Sequence, residues 1–210
     1  MVSNLPAYRR LVDGLVLPVP LANHVALDFC NTLAGWGEPA PVEYLTTYAH
    51  LAVWAREAGL VDAKATARLF ATAERDPATA GRALGRAVAL RAALYAACTD
   101  HAAGGAWDTV AGEARAAAAT AALDPAAPPG DRWRIGENAS LDLPVLELAR
   151  SAGDLLGTVD LDHVGRCSGT GCGWLFLDPR GRRRWCTMAV CGNRAKVRRH
   201  ADRARTARRA

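Results

Sequence analysis

Four cysteines of the chain stand as two pairs. Cys167 and Cys172 are separated by four residues, thirteen residues intervene, and Cys186 and Cys191 repeat the four-residue spacing. Zinc in a structural site wants four soft or imidazole ligands in a tetrahedron, and two short-spaced pairs supply them. Gly169, Gly171 and Gly173 provide the pliant backbone that folds each pair around one ion. Four thiolates leave no open coordination position, so the expected cofactor is one structural Zn²⁺ and not a hydrolytic centre. Two disulfides or an iron–sulfur cluster are the competing readings. The ferredoxin-type spacings are absent, and without an export signal the cysteines read as thiols or ligands rather than bridges. His163 and His200 lie near enough to compete as ligands. Cys30 and Cys98 stand alone in expected helices and read as buried thiols.

Around and after the cysteines the chain is strongly basic. Residues 166–210 hold thirteen Lys/Arg against Asp178 and Asp202, whereas the other 165 residues hold thirteen Lys/Arg against nineteen acids. The overall charge of +5 therefore hides an acidic body and a basic end. That asymmetry points to a polyanion, nucleic acid first, over a solubilising tail. On a helical wheel from Gly192 to about Ala207, Arg194, Arg198, Arg205 and Arg209 form one stripe. Lys196, Arg199 and Arg203 form a second, and Arg180, Arg182, Arg183 and Arg184 lie upstream. Arginine forks match phosphate oxygens and guanine edges. Asn193 is placed either to touch a base edge or to cap the helix.

The elements that must position these groups are mostly helical. Expected helices begin near Val25 and run over 41–58, 63–74, 78–102, 106–122 and 143–156, with Asp62, Pro77 and Asp142 as start signals and Gly59 as a stop. The alanine-rich stretches read as closely packed helices. The first 22 residues, broken by three prolines, read as irregular, 124–130 as a loop and 133–135 as a short strand. In the cysteine-rich unit, 174–177 and 183–185 read as a β-hairpin turned at Asp178–Gly181. Val197, Ala201 and Ala204 form the helix face that would pack on it, with Leu175, Leu177 and Trp185 completing a tiny core. Metal should then supply much of the unit's folding free energy. The fold class is thus mostly α: a helical domain over 1–160 and a small treble-clef or ribbon-like zinc finger over 161–210, with a β-hairpin and a basic helix.

A chain of 210 residues, 50% hydrophobic and 22% charged, is ordinary globular composition. No apolar run reaches membrane-spanning length and no signal peptide is evident, so a cytoplasmic protein without a membrane partner is expected.

The run Cys172–Asp178, followed by Arg183-Arg184-Trp185-Cys186 and by Cys191-Gly192-Asn193-Arg194 leading to His200, resembles the CGNR zinc-finger family. Leu27–Thr32, the helix with Leu51 and Trp54, and Arg91 in Leu90–Leu94 resemble markers of its N-terminal partner, the ABATE domain. The resemblance covers roughly residues 20–205 and implies a zinc-dependent, stress-responsive transcription regulator. One departure stands out: the family has a longer, serine-containing stretch where this chain has only Pro179–Arg182, so a tighter turn is expected.

If the finger is the output, the helical region senses an effector, dimerises, or both. Asp28, Asn31, Trp54 and Arg91 are its candidate effector-pocket residues, with Trp36 beside them. The plainer alternative is an Asp28–Arg91 ion pair among core tryptophans. No catalytic constellation is evident, so no enzyme is expected. A duplex-DNA regulator is the first reading. An RNA-binding zinc protein is the alternative, followed by a small-molecule binder or enzyme that the finger only localises. A homodimer is compatible with all three.

Overall fold

The computed structural model describes residues 6–100, 102–128 and 132–207. Helices dominate: α1 (Val25–Cys30), α2 (Tyr48–Glu57), α3 (Ala63–Arg75), α4 (Pro77–Thr99), α5 (Gly104–Thr120), α6 (Leu143–Thr158) and α7 (Asn193–Ala207). Short antiparallel pairs join them: β1 (Arg9–Val12) with β2 (Leu15–Pro18), β3 (Leu33–Ala34) with β4 (Val42–Glu43), β5 (Ala121–Leu123) with β6 (Trp133–Ile135), and β7 (Val164–Arg166) with β8 (Leu175–Leu177).

Side-chain caps set several helix starts. Asp62 accepts from the Ala65 amide at 2.6 Å, and Asp76 accepts from the Thr79 amide at 3.0 Å just ahead of Pro77. Helices α4, α5 and α6 pack together through small residues, with Ala83, Ala87, Ala117, Ala149 and Ala152 all buried. This is the close packing that the alanine content predicts. The same core holds Leu27 and Phe29 of α1, Leu51 and Trp54 of α2, and Leu175 of β8.

Three local expectations are corrected. Residues 9–18 form a hairpin, because Asp13 and Gly14 take left-handed φ of 49° and 78° and so supply a two-residue turn. The helix expected from Pro41 starts only after Thr47. Residues 42–43 instead pair with 33–34, the Tyr44 amide bonds Thr32 O at 3.0 Å, and Glu43 is drawn to Arg91. The partner of strand 175–177 is 164–166, not 183–185. The two strands therefore flank the first cysteine pair.

His24 caps α1, its Nδ1 accepting from the Ala26 amide at 3.2 Å, and burial holds its pKa below 6.5. Only the neutral ring can accept that bond. This contribution is complete above pH 6.5 and is lost as pH falls through the lower folded value. The His24 ring should therefore titrate below 6.5 by NMR. His24→Asn should keep the cap and flatten the acid limb of stability against pH.

Candidate metal centre and basic helix

Cys167 follows β7, Cys172 precedes β8, and Cys186 and Cys191 flank the start of a single π-helical turn over Met188–Gly192 that leads into α7. All four are buried, and their ligating sulfurs lie within 4.8 Å of one another. Cys186 Sγ is 3.8 Å from Cys172 Sγ and 3.5 Å from Cys191 Sγ. A set of four thiolates in that space fits one tetrahedral zinc and leaves no position for water or substrate. The site holds a single structural zinc. His163 and His200 are not part of this cluster.

Without the ion the four neighbouring thiols compete for protons, and zinc binding displaces all of them. Cys191 is held well below the ordinary thiol range, first by hydrogen bonding from Cys167, then from Cys172 and Cys186, with Arg194 adding to it. Cys167 is lowered to about 7, chiefly by Cys172, while Cys172 is pushed up, chiefly by Cys167. Thiolate is the form that binds metal. The lone cysteines behave oppositely: burial raises Cys30, and raises Cys98 to about 12, so both stay inert thiols.

The helical body cradles the metal loops. The Asn31 side chain pairs with the Leu175 backbone in both directions, donating to its carbonyl at 2.9 Å and accepting from its amide at 2.8 Å. The Leu177 amide reaches Ala22 O at 2.7 Å, and the Gly35 amide reaches Cys172 O at 3.0 Å. Trp174 Nε1 donates to Leu33 O at 3.0 Å. Tyr95 donates to Gly173 O at 2.8 Å and stacks on Trp36, ring centroids 3.7 Å apart. Gly173 has φ +71°, and a Cβ there would stand 2.8 Å from Trp36 Cβ, so only glycine fits. At Gly169 a Cβ would come within 2.9 Å of Cys191 Sγ, intruding on the metal ligands.

The candidate nucleic-acid residues divide into two sets. Arg183 is half-buried, donates to Cys186 O at 2.7 Å and Leu21 O at 3.2 Å, and lies over the Phe176 ring. Arg194 donates to Cys191 Sγ at 3.1 Å. Arg183 and one nitrogen of Arg194 are therefore engaged with the metal unit itself, while Arg194 stays exposed. Asn193 turns back to Ala189 O at 3.2 Å. Arg184, Lys196, Arg198, Arg199 and Arg205 are exposed, as is Arg203. Arg209 lies outside the described residues. Asp178 makes the tight turn: its carbonyl accepts from Gly181 at 3.0 Å and its carboxylate from the Arg183 amide at 2.5 Å. Val197 does not pack on the hairpin. It is 68% exposed, and Ala201 is exposed beside it, so α7 projects from the metal centre.

The effector-pocket candidates separate. Asp28 and Trp54 line a cavity of about 170 Å³ with Arg10 and Glu57. Asp28 accepts from the Leu21 and Ala22 amides, and burial raises its pKa. Trp54 packs against Phe29. Asn31 and Arg91 are not on that wall. Arg91 is buried and pairs with Glu43, one nitrogen reaching Oε1 at 2.7 Å and Thr32 Oγ1 at 2.9 Å. Its carboxylate partner is Glu43 and not Asp28, because β4 carries Glu43 onto the end of the Arg91 side chain. The Tyr95–Trp36 cradle carries no local sequence signal, since its link to the metal unit is made only in space, and the same holds for the pairing of Glu43 with Arg91.

Among the described residues, no helix is long and apolar enough to cross a membrane. No curated protein matches the chain. Residues 163–204 match the CGNR zinc finger. Residues 23–159 match ABATE, a family described as "Putative stress-induced transcription regulator". With that match spanning more than half its length, the chain belongs to the ABATE family and carries a C-terminal CGNR zinc finger.

Proposed function

We propose that this chain is a cytoplasmic, DNA-binding transcription regulator, with residues 161–210 as output and residues 1–160 as the input or dimerising part. The observation that carries the reading is α7, which leaves a rigid metal centre with Lys196, Arg198, Arg199, Arg203 and Arg205 exposed along it. A basic helix anchored at one end is suited to duplex DNA, with arginine forks reaching phosphates and base edges. The zinc has a positioning role: it holds the first turn of α7, and no chemistry passes through it. The family description, "Putative stress-induced transcription regulator", supports the regulatory reading.

The test is recovery of genomic fragments by zinc-loaded protein at physiological salt with RNA competitor present. A short enriched duplex motif supports the reading, and its half-site spacing reports a dimer. Loss of all fragments to RNA moves the protein to the alternative class. If the helix neutralises about four to six phosphates, log K falls with log salt at a slope of about −4 to −5. Arg198→Ala with Arg205→Ala should flatten that slope by about 2 units while zinc content is unchanged. Arg194→Ala is not a clean probe, because it also removes a donor to Cys191.

A further inference from the structure

A cavity of about 330 Å³ lies where the β1–β2 hairpin, the loop between β3 and β4, and the metal unit meet. It is walled by Tyr8, Arg9, Glu38, Val42, Trp174 and Arg194, among others. Three of the zinc ligands, Cys172, Cys186 and Cys191, line one part of it, and the ion itself fills only a small share of its volume. Zinc–sulfur bonds are about 2.3 Å long, and the four sulfurs sit within 4.8 Å of one another. The cavity also reaches Arg9 and Val42, which belong to the β1–β2 and β3–β4 segments and not to the metal unit.

The charges around it are arranged unusually. Arg194 is turned to Cys191 Sγ and offsets part of the negative charge of four thiolates around a divalent ion. Arg9 spends only its Nε, donating to Tyr44 at 2.9 Å, and its guanidinium lies near the Tyr8 and Tyr44 rings. Its terminal nitrogens make no hydrogen bond among the described residues. Glu38 lines the same cavity, and no ion pair joins it to Arg9 among the described residues. A guanidinium fork and a carboxylate thus line one cavity, partly walled by Val42 and Trp174, without pairing with each other. A fork binds a carboxylate through two parallel bonds, and a carboxylate accepts from an ammonium.

We propose that this seam is a binding site for a small zwitterion with an apolar or aromatic body, the chemistry of an apolar amino acid. The carboxylate lies on Arg9, the ammonium on Glu38, and the body against Val42 and Trp174. The volume is at the low end of the range of about 300–1,000 Å³ for ligand pockets, so it suits an amino acid better than a nucleotide. The site is distinct from the Asp28 and Trp54 cavity and stands independently of the DNA reading. It places a ligand against the first turn of α7.

The experiment is calorimetry of the full zinc-loaded chain with three matched probes: L-phenylalanine, hydrocinnamate lacking the amine, and phenethylamine lacking the carboxylate. Phenylalanine should bind at least about tenfold more tightly than either, the scale of one charge-assisted hydrogen bond. Arg9→Met should weaken phenylalanine and hydrocinnamate about tenfold or more and spare phenethylamine. Glu38→Gln should weaken phenylalanine and phenethylamine and spare hydrocinnamate. Zinc content and melting temperature check that each variant is folded. Glu38 is exposed, so its variant carries the test even if Arg9→Met perturbs the hairpin. No heat from any probe, equal affinity for all three, or indifference to both substitutions overturns the proposal.

Discussion

Cys191→Ser should reduce zinc from about one per chain to near zero after dialysis against a mild chelator, and should lower the melting temperature of the whole chain. Serine is a hard, poorly ionised ligand where a polarisable thiolate is required. Structural zinc contributes about 10–16 kcal/mol in isolated finger peptides, so losing one of four ligands removes a large part of that term. The effect should not stay local. Leu175 belongs to the main core, and the Cys172 and Gly173 carbonyls are bonded to Gly35 and Tyr95. Loosening the metal loops therefore loosens the surface on which α1, β3 and α4 rest. Cys98→Ser is the control, since that thiol is buried apart from the cluster and should leave zinc unchanged. Full zinc occupancy in Cys191→Ser would show that the ion is held elsewhere.

Asn31→Leu should cost about 3 kcal/mol and lower the melting temperature by roughly 10 °C. Asn31 is 1% exposed, and its amide makes both bonds to the Leu175 backbone. Leucine has the same branched shape and is larger, so no cavity is made, but a buried N–H and a buried carbonyl lose their partners. Each such orphan costs about 1–3 kcal/mol. Asn31→Asp keeps the acceptor but sets a buried carboxylate against the Leu175 carbonyl oxygen, so it should cost at least as much. Zinc should also be stripped faster from Asn31→Leu, because β8 then holds Cys172 less firmly. A melting curve within a degree or two of the parent, with chelation rate unchanged, would mean that the seam is held by other contacts.

The metal ligands and the helical class were legible because each rests on local pattern. Two x4 cysteine pairs bring four thiolates together with little help from distant residues, and the cluster of Cys167, Cys172, Cys186 and Cys191 bears this out. Asp62 announces helix α3 by capping chemistry that spans only three residues, and Pro77 announces α4. The β1–β2 hairpin is also written locally, in Asp13-Gly14 between apolar runs, although the neighbouring prolines favour an irregular reading.

The seam was not legible. Asn31 and Leu175 are 144 residues apart, and nothing at either position announces the other. Arg91 could be seen as a charge among apolar residues, but its partner depended on β4 replacing the first turns of an expected helix and delivering Glu43. Helical periodicity puts Val197 on a packing face because it reports which residues share a side, not whether anything lies against it. In the fold that side is exposed, since β7 takes the pairing edge of β8 and the body takes Leu175.

Sequence alone therefore determined the kind of ion, its four ligands, the helical character of the chain and the charge of its last helix. All of these follow from residue type and from spacing within about a turn or a knuckle. Tertiary structure decided which arginines are available, what completes the core of the metal unit, and that a charged cavity opens beside it. Those outcomes depend on which long-range partner wins a buried hydrogen-bond donor or acceptor. That competition is settled by burial, where an unpaired polar group is costly, and burial exists only once the chain has closed on itself.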